Sequence, residues 1–419
     1  MGLLKNKTDA FAVLKIKEFR LFLSARFVLT MAIQMQSIIV GWQIYELTKD
    51  PLSLGLIGLS EAIPFLFMSF FSGHIADTFD RRKIILLSLL VYFLCAFSLF
   101  LFTTNLSFIL LVYGTLPVYI IISITGFARA FIYPAQTALM AQLVPKSLYT
   151  NSSTWNSTTW HIAAVMGPAV GGLIYGFVGI TQAYFLVTIL VVLGFVFFLN
   201  IQSKKLPPKT IEESIFESIK SGIKFVFSNQ VLLGAMSLDM FAVLFGGAVA
   251  MLPVFASEVL RVGPQGLGFL RAAPAAGAVI MALFLAYYPP LKNTGVKLFV
   301  SVAGFGLSMI FFALSKNFYL SLVLLAIGGM FDNISVIIRH TILQIYTPDH
   351  MRGRVAAVNS VFIGSSNEIG SFESGVAAKI LGLIPSVIFG GSMTLMISGM
   401  TAKFSPNLRK MNLHDKINN

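Results

Sequence analysis

The residues of this chain with chemistry to offer are charged side chains set in apolar surroundings. Gly73-x-x-x-Asp77-x-x-x-Arg81-Arg82-Lys83 gathers acid and base between two hydrophobic runs, Leu52 to Ile75 and Ile84 to Phe102. Glu61, Asp239, Asp332, Glu368 and Glu373 stand in further apolar stretches, as do Arg26, Arg129, Arg271 and Arg339. A charge in a bilayer core costs at least ~2.5–3.5 kcal/mol on insertion scales, so each of these is expected to face water, pair or carry a proton. Proton carriage needs a carboxylate, which makes Glu61, Asp239, Asp332, Glu368 and Glu373 the candidates. His161 has the right chemistry for titration near neutral pH, but a lone membrane histidine is read as a packing residue. Bond-making chemistry is not in view. No Gly-x-x-x-x-Gly-Lys-Ser/Thr phosphate loop occurs, no Ser/His/Asp or metal-spaced cluster stands out, and the single cysteine, Cys95, allows no intrachain disulfide. The expectation is a non-enzyme with no cofactor and no metal.

The elements that must position these charges are membrane helices. Hydrophobic residues make up 56% of 419 positions and charged residues 11%, with a mean hydropathy of +0.83. The apolar segments are helix-length rather than ~10-residue alternating strands, which favours an all-α membrane bundle over a barrel. Twelve transmembrane helices are read near 19–46, 52–76, 83–103, 109–143, 153–178, 182–201, 231–256, 265–288, 296–315, 319–346, 354–381 and 385–403. The fourth and tenth exceed the ~20 residues a crossing needs, so they are expected to tilt or project, the fourth bending near Pro134. The net charge of +13 reports topology rather than a nucleic-acid partner. Lys and Arg concentrate in alternate loops, apart from the four arginines within spans and Lys49, Arg261, Lys316 and Lys379 near outer ends. That asymmetry predicts a multi-pass membrane protein with both termini in the cytoplasm.

One long polar segment, 202–230, divides the chain into an N-terminal six-helix bundle (1–201) and a C-terminal one (231–403) with a short cytoplasmic tail (404–419). Within the linker, Ile211, Ile215, Ile219 and Ile223 recur every four residues, predicting an amphipathic helix that lies on the membrane or packs on the bundle's cytoplasmic ends. The halves align on each other. A shift of 213 pairs Pro51 with Pro264 and Leu54 with Leu267; a shift of 203 pairs Pro145 with Pro348, Asn156 with Asn359, Gly167 with Gly370 and Gly172 with Gly375. Two pseudo-symmetric bundles related by an axis along the membrane normal would give this pattern. The same shifts place Arg26 on Asp239 and Arg129 on Asp332, marking these four as charges of a central cavity or as ion pairs between halves. Gln34, Gln36 and Gln43 crowd three amides into ten residues of the first span, and they are candidates to line a substrate path.

The loop Gly73-x-x-x-Asp77-x-x-x-Arg81-Arg82-Lys83 resembles the signature loop of the major facilitator superfamily, and the resemblance runs the full length of the chain. In that family the loop's acid and arginine form a charge relay that locks the outward-facing state, which implies gating roles for Gly73, Asp77, Arg81, Arg82 and Lys83. Gly167-Pro168-Ala169-Val170-Gly171-Gly172 is similar to a motif of its proton-coupled exporters; small residues permit close helix contact and proline bends the span. The run from Thr347 through Asp349, Arg352 and Arg354 to Gly375 resembles the enterobactin exporter branch, which also holds macrolide efflux proteins. Tyr149 stands where Arg352 recurs, and the Arg-x-x-Gln-Gly motif of many drug antiporters is not present in the fourth span.

The resemblance implies a secondary active exporter that moves a small amphipathic molecule, a siderophore among the candidates, out of the cytoplasm by alternating access in exchange for protons. A multidrug or macrolide efflux pump is the alternative, and a lipid-handling protein on the same scaffold a further one. The partners expected are a small-molecule substrate, protons and membrane lipid, with no nucleic acid, and the protein is expected to be a monomer.

Overall fold

The computed structural model describes residues 11–104, 106–204, 215–288, 290, 292–348 and 351–413. Among them every regular element is helical. In lipid each backbone N–H and C=O must be satisfied within its own segment, and long runs of Leu, Ile, Val and Phe do this as helices. The membrane helices are α1 (Lys17–Thr48), α2 (Pro51–Thr78), α3 (Arg81–Phe102), α5 (Leu116–Leu143), α6 (Tyr149–Phe177), α7 (Ile180–Leu199), α9 (Gln230–Gly246), α11 (Gly263–Tyr287), α12 (Thr294–Leu314), α13 (Phe318–Tyr346), α14 (Arg352–Leu381) and α15 (Leu383–Phe404). Among the described residues eleven spans are long and apolar enough to cross a membrane. The remaining helix of the twelve, α14, has 30 residues but carries Arg352, Arg354, Glu368, Glu373 and Lys379, and so is too polar to meet that measure of composition.

Two spans are less regular than the sequence predicts. The expected fourth helix, 109–143, is broken into α4 (Ser107–Tyr113) and α5 by Gly114, whose φ of 59° is left-handed. Such a residue ends a helix, and Pro117 in the first turn of α5, which has no N–H to satisfy, starts the next. The seventh span continues past α9 through Gly247 into a 3-10 turn (Ala248–Met251), the single turn α10 (Leu252–Val254) and a π turn (Phe255–Val259). By contrast α13 runs unbroken over 29 residues, as its length predicts.

The chain forms two compact units, 1–40 with 63–208 and 41–62 with 209–419. Unit 1 is built around Phe19, Phe22, Ile85, Leu139 and Phe198. Its α6 lies close on α1. A Cβ on Gly167 would fall 2.8 Å from Gln34 Cβ, and one on Gly171 3.0 Å from Ile38 Cγ2, so no larger residue fits without displacement.

Unit 2 has its core at Leu232, Leu238, Leu298, Ile338 and Ile342. Small residues again set the helix contacts: Gly277 of α11 abuts the Ala326 backbone of α13, and Gly329 of α13 abuts Pro274. The segment 41–62 belongs here through Gly55, which meets Gly375 of α14 at 2.9 Å from the ideal Cβ of Gly375 to Gly55 Cα. The linker helix α8 (Ile215–Ser228) also joins unit 2. Gly222 lies against the Arg354 backbone, and Val226 is fully buried with Met236, Val355 and Val358. Of the isoleucine stripe, Ile223 is 42% exposed, and Ile211 and the side chains of Ile215 and Ile219 lie outside the described residues.

Candidate functional site

Unit 1 holds a cavity of about 130 Å³. Arg26 and Gln34 reach it from α1, Tyr92 from α3, Arg129, Tyr133 and Gln136 from α5, and Trp160 from α6. Positions 129, 133 and 136 are spaced by four and three, which puts them on one helix face. Gln136 is 3% exposed and accepts a 2.8 Å hydrogen bond from Arg26 Nη1. Arg129 Nη2 donates to the Tyr133 hydroxyl at 3.3 Å, and its guanidinium stands 5.7 Å from that ring's centroid. The structure therefore brings together three predicted residues, Arg26, Arg129 and Gln34. Gln36 and Gln43 are buried but do not line this cavity.

The acids gather in unit 2. Arg339 Nη1 of α13 pairs with Asp239 Oδ2 of α9, and each side chain is under a tenth exposed. Asp332, about two turns before Arg339 on α13, is close enough to interact electrostatically with both members of the pair. The repeat register aligned Asp239 with Arg26 as corresponding positions; within unit 2 the partner of Asp239 is Arg339. Glu368 interacts electrostatically with Arg271 of α11, whose Nη1 donates to the Val249 carbonyl at 3.2 Å. Glu373 is half-buried on α14.

The signature loop is short. Asp80 is the N-cap of α3, accepting from the backbone N–H groups of Arg82 at 2.9 Å and Lys83 at 3.4 Å, and it also accepts from the Ser203 hydroxyl. Arg81 is 8% exposed, with Nε donating to the Ala76 carbonyl at 3.2 Å. Arg82 reaches the end of α7, donating to the carbonyls of Phe198 at 3.2 Å and Leu199 at 2.7 Å, where a cation is favoured by the helix dipole. The Gly73 position has open space where a Cβ would stand. The side chains of Asp77 and Arg352 and the whole of Asp349 lie outside the described residues. Arg354 Nη1 donates to Ser221 of α8 at 2.8 Å.

Pro168, Gly171 and Gly172 all lie inside α6, so the export-type motif sits on the helix face that approaches α1 only at Gly167 and Gly171 among the contacts described. Several residues of these sites were not singled out from sequence: Gln136, Tyr92 and Tyr133 in the cavity, and Arg339 as the partner of Asp239. The polar stripe Arg129, Tyr133, Gln136 was a legible signal. Asp50 is another such residue, ahead of α2 and paired with Lys379 Nζ of α14 at 2.9 Å.

This arrangement of membrane helices, small-residue contacts and buried charges is that of a solute transporter. The chain matches the transmembrane secretion effector family over residues 8–419, and it belongs to that family, within the major facilitator class. It is 24% identical over 400 residues to the enterobactin exporter EntS of Shigella flexneri, covering 94% of this chain and 92% of that one. It is 22% identical over 391 residues to the multidrug efflux pump Tap of Mycolicibacterium fortuitum, covering 90% and 92%. Among solved structures, a POT family transporter in complex with 5-aminolevulinic acid superposes with a TM-score of 0.73 at 12% identity, over 93% of this chain and 96% of that one. The nucleoside transporter NupG gives 0.67 at 14% identity, over 94% and 99%. These likenesses establish the major facilitator fold.

Proposed function

We propose that the protein exports a small amphipathic molecule from the cytoplasm of a bacterium by alternating access, driven by protons moving inward. It acts as a monomer in the inner membrane with both termini in the cytoplasm. Membership of a secretion family supports the outward direction. The observation that carries the coupling is the set Asp239, Arg339 and Asp332. One guanidinium balances one carboxylate, and a proton is the simplest means of balancing the other when the site leaves water. Asp239 is committed to the ion pair, so Asp332 is the proton carrier and Arg339 the charge that reports its state to α9. Glu368 and Glu373 are the reserve candidates.

The cargo reading follows the relatives. A siderophore is proposed from the likeness to an enterobactin exporter, and drug efflux is the second reading from the likeness to a multidrug pump. The signature loop acts as a gate, with Arg82 on the α7 terminus as the contact to be made and broken.

The test is transport into proteoliposomes holding the purified protein, with an imposed pH gradient and a catecholate siderophore or a cationic dye as cargo. Uptake of either that collapses when the gradient is discharged supports proton-coupled export and selects the cargo. Failure of both cargoes to move, together with no protein-dependent proton flux, would overturn it.

A further inference from the structure

The linker helix α8 has more apolar surface than unit 2 covers. Its buried face holds Gly222, against the Arg354 backbone of α14, and Val226, beside Met236 of α9. An α-helix turns about 100° per residue, so Ile223 and Phe227 stand about 100° round from that face, and Lys220 and Lys224 a further ~60°. All four are exposed, Ile223 at 42% and Phe227 at 58%. A helix edge turned to water has no use for an isoleucine and a phenylalanine. Bordered by lysines, they form the layout of a helix at a bilayer surface, with apolar side chains toward the acyl boundary and ammonium groups among the phosphates.

The placement of α8 along the membrane helices fits that depth. One residue, Asn229, separates it from α9 and caps that helix, accepting from the N–H groups of Val231 and Leu232, each at 3.1 Å. Gly222 meets Arg354 in the first turn of α14. Thus α8 lies level with the ends of two membrane helices. A short helix, α16 (Pro406–Arg409), packs at the same end: Asn407 Nδ2 donates to Gln230 Oε1 at 2.7 Å, and Leu408 lies against Gly234. Exposed Arg409 and Lys410 therefore join Lys220 and Lys224 at this end of unit 2, while Glu217 is the exposed acid of α8 among the described residues.

We propose that α8 docks on anionic phospholipid at the surface of the protein's own bilayer. Ile223 and Phe227 enter the acyl boundary, and Lys220 and Lys224 hold head-group phosphates. Arg409 and Lys410 extend the same basic surface. Charge complementarity sets the partner, since an anionic membrane surface gains about fivefold in occupancy for each lysine or arginine that reaches it. The covered face of α8 binds the bundle, so the helix joins lipid composition to the starts of α9 and α14. The proposal needs a membrane and no transport, so its failure would leave the export reading as it stands.

The test uses the full-length protein in nanodiscs of phosphatidylcholine, alone or mixed with phosphatidylglycerol. Hydrogen exchange of the amides of 220–228 in the unaltered protein is expected to slow at least about fivefold in the mixed bilayer and to recover in high salt, which screens the contact. A second readout places the helix directly: Cys95→Ala with Ile223→Cys, labelled with a fluorophore, should be quenched by nitroxide lipid more strongly when phosphatidylglycerol is present. Lys220→Gln with Lys224→Gln should abolish both responses, whereas Lys316→Gln, beyond the far end of α12, should leave them unchanged. Equal exchange in the two bilayers would overturn the proposal on the unaltered protein alone, whatever the variants do to folding. So would a phosphatidylglycerol response that survives loss of both lysines, since the lipid would then act elsewhere.

Discussion

Arg339 and Asp239 form an ion pair joining α13 to α9 with both side chains almost fully buried. Its two ends have different worth. A buried pair contributes little beyond what well-packed apolar residues would, but losing one partner leaves an uncompensated charge. Asp239→Asn should therefore lower the unfolding free energy by about 3–5 kcal/mol. Adding Arg339→Met should recover most of that. Thermal unfolding in detergent measures both, and Asp239→Asn as stable as the native protein would mean that Asp332 takes over the pairing.

Asp332 should behave in the opposite way. It is not a direct partner in the Arg339–Asp239 pair, so Asp332→Asn should leave the unfolding midpoint near the native value and remove pH-driven flux. Exchange of labelled for unlabelled cargo across the membrane without a gradient should continue. Loss of exchange and drive together would show that Asp332 serves cargo rather than protons.

Two glycines of equal family interest should respond differently. Gly167→Ala pushes a methyl group to 2.8 Å from Gln34 Cβ, which costs about 1–3 kcal/mol by overpacking at the α1–α6 contact. Gly73→Ala meets nothing within 4 Å and, being inside α2, should be neutral or stabilising by up to ~1 kcal/mol. If Gly73 matters to gating, the variant will be stable and slow: transport falls with no loss in unfolding midpoint. A Gly73→Ala protein with native transport would remove glycine from the gating argument.

The spans were legible because a membrane leaves the backbone little choice, and an apolar run of the right length is enough to mark a helix. Close packing at Gly167 and Gly171 was legible for a related reason, since clustered small residues have few other uses in lipid. The break at Gly114 was not, because one left-handed residue in a run of apolar ones leaves no trace in hydropathy. Nor was the Asp239–Arg339 pair. Which arginine meets which acid depends on how α9 and α13 are rotated, and repeat symmetry carries no information on that. The cavity was half legible: Gln34, Arg26 and Arg129 were seen as polar in the wrong place, while Tyr92 and Tyr133, aromatic residues in apolar runs, were not singled out.

Within unit 2, Asp50 offers a pH test. It lies between α1 and α2, where burial disfavours its charge. Hydrogen bonds from Lys379 Nζ at 2.9 Å and the Leu52 N–H at 3.1 Å outweigh that and hold its carboxyl below the ordinary 3.8. A carboxyl lowered on folding contributes stability that is fully present above its unfolded value and is lost as pH falls through the folded one. Lys379 and Asp50 are 51% and 34% exposed, so the pair is worth no more than about 1 kcal/mol. Asp50→Asn keeps an oxygen for the Leu52 N–H and removes only the charge. The gap in unfolding midpoint between native protein and Asp50→Asn should therefore be small and constant from pH 7 to pH 5, and close below about pH 4. A gap that closes between pH 7 and 5 would show that another group, not Asp50, titrates at this contact.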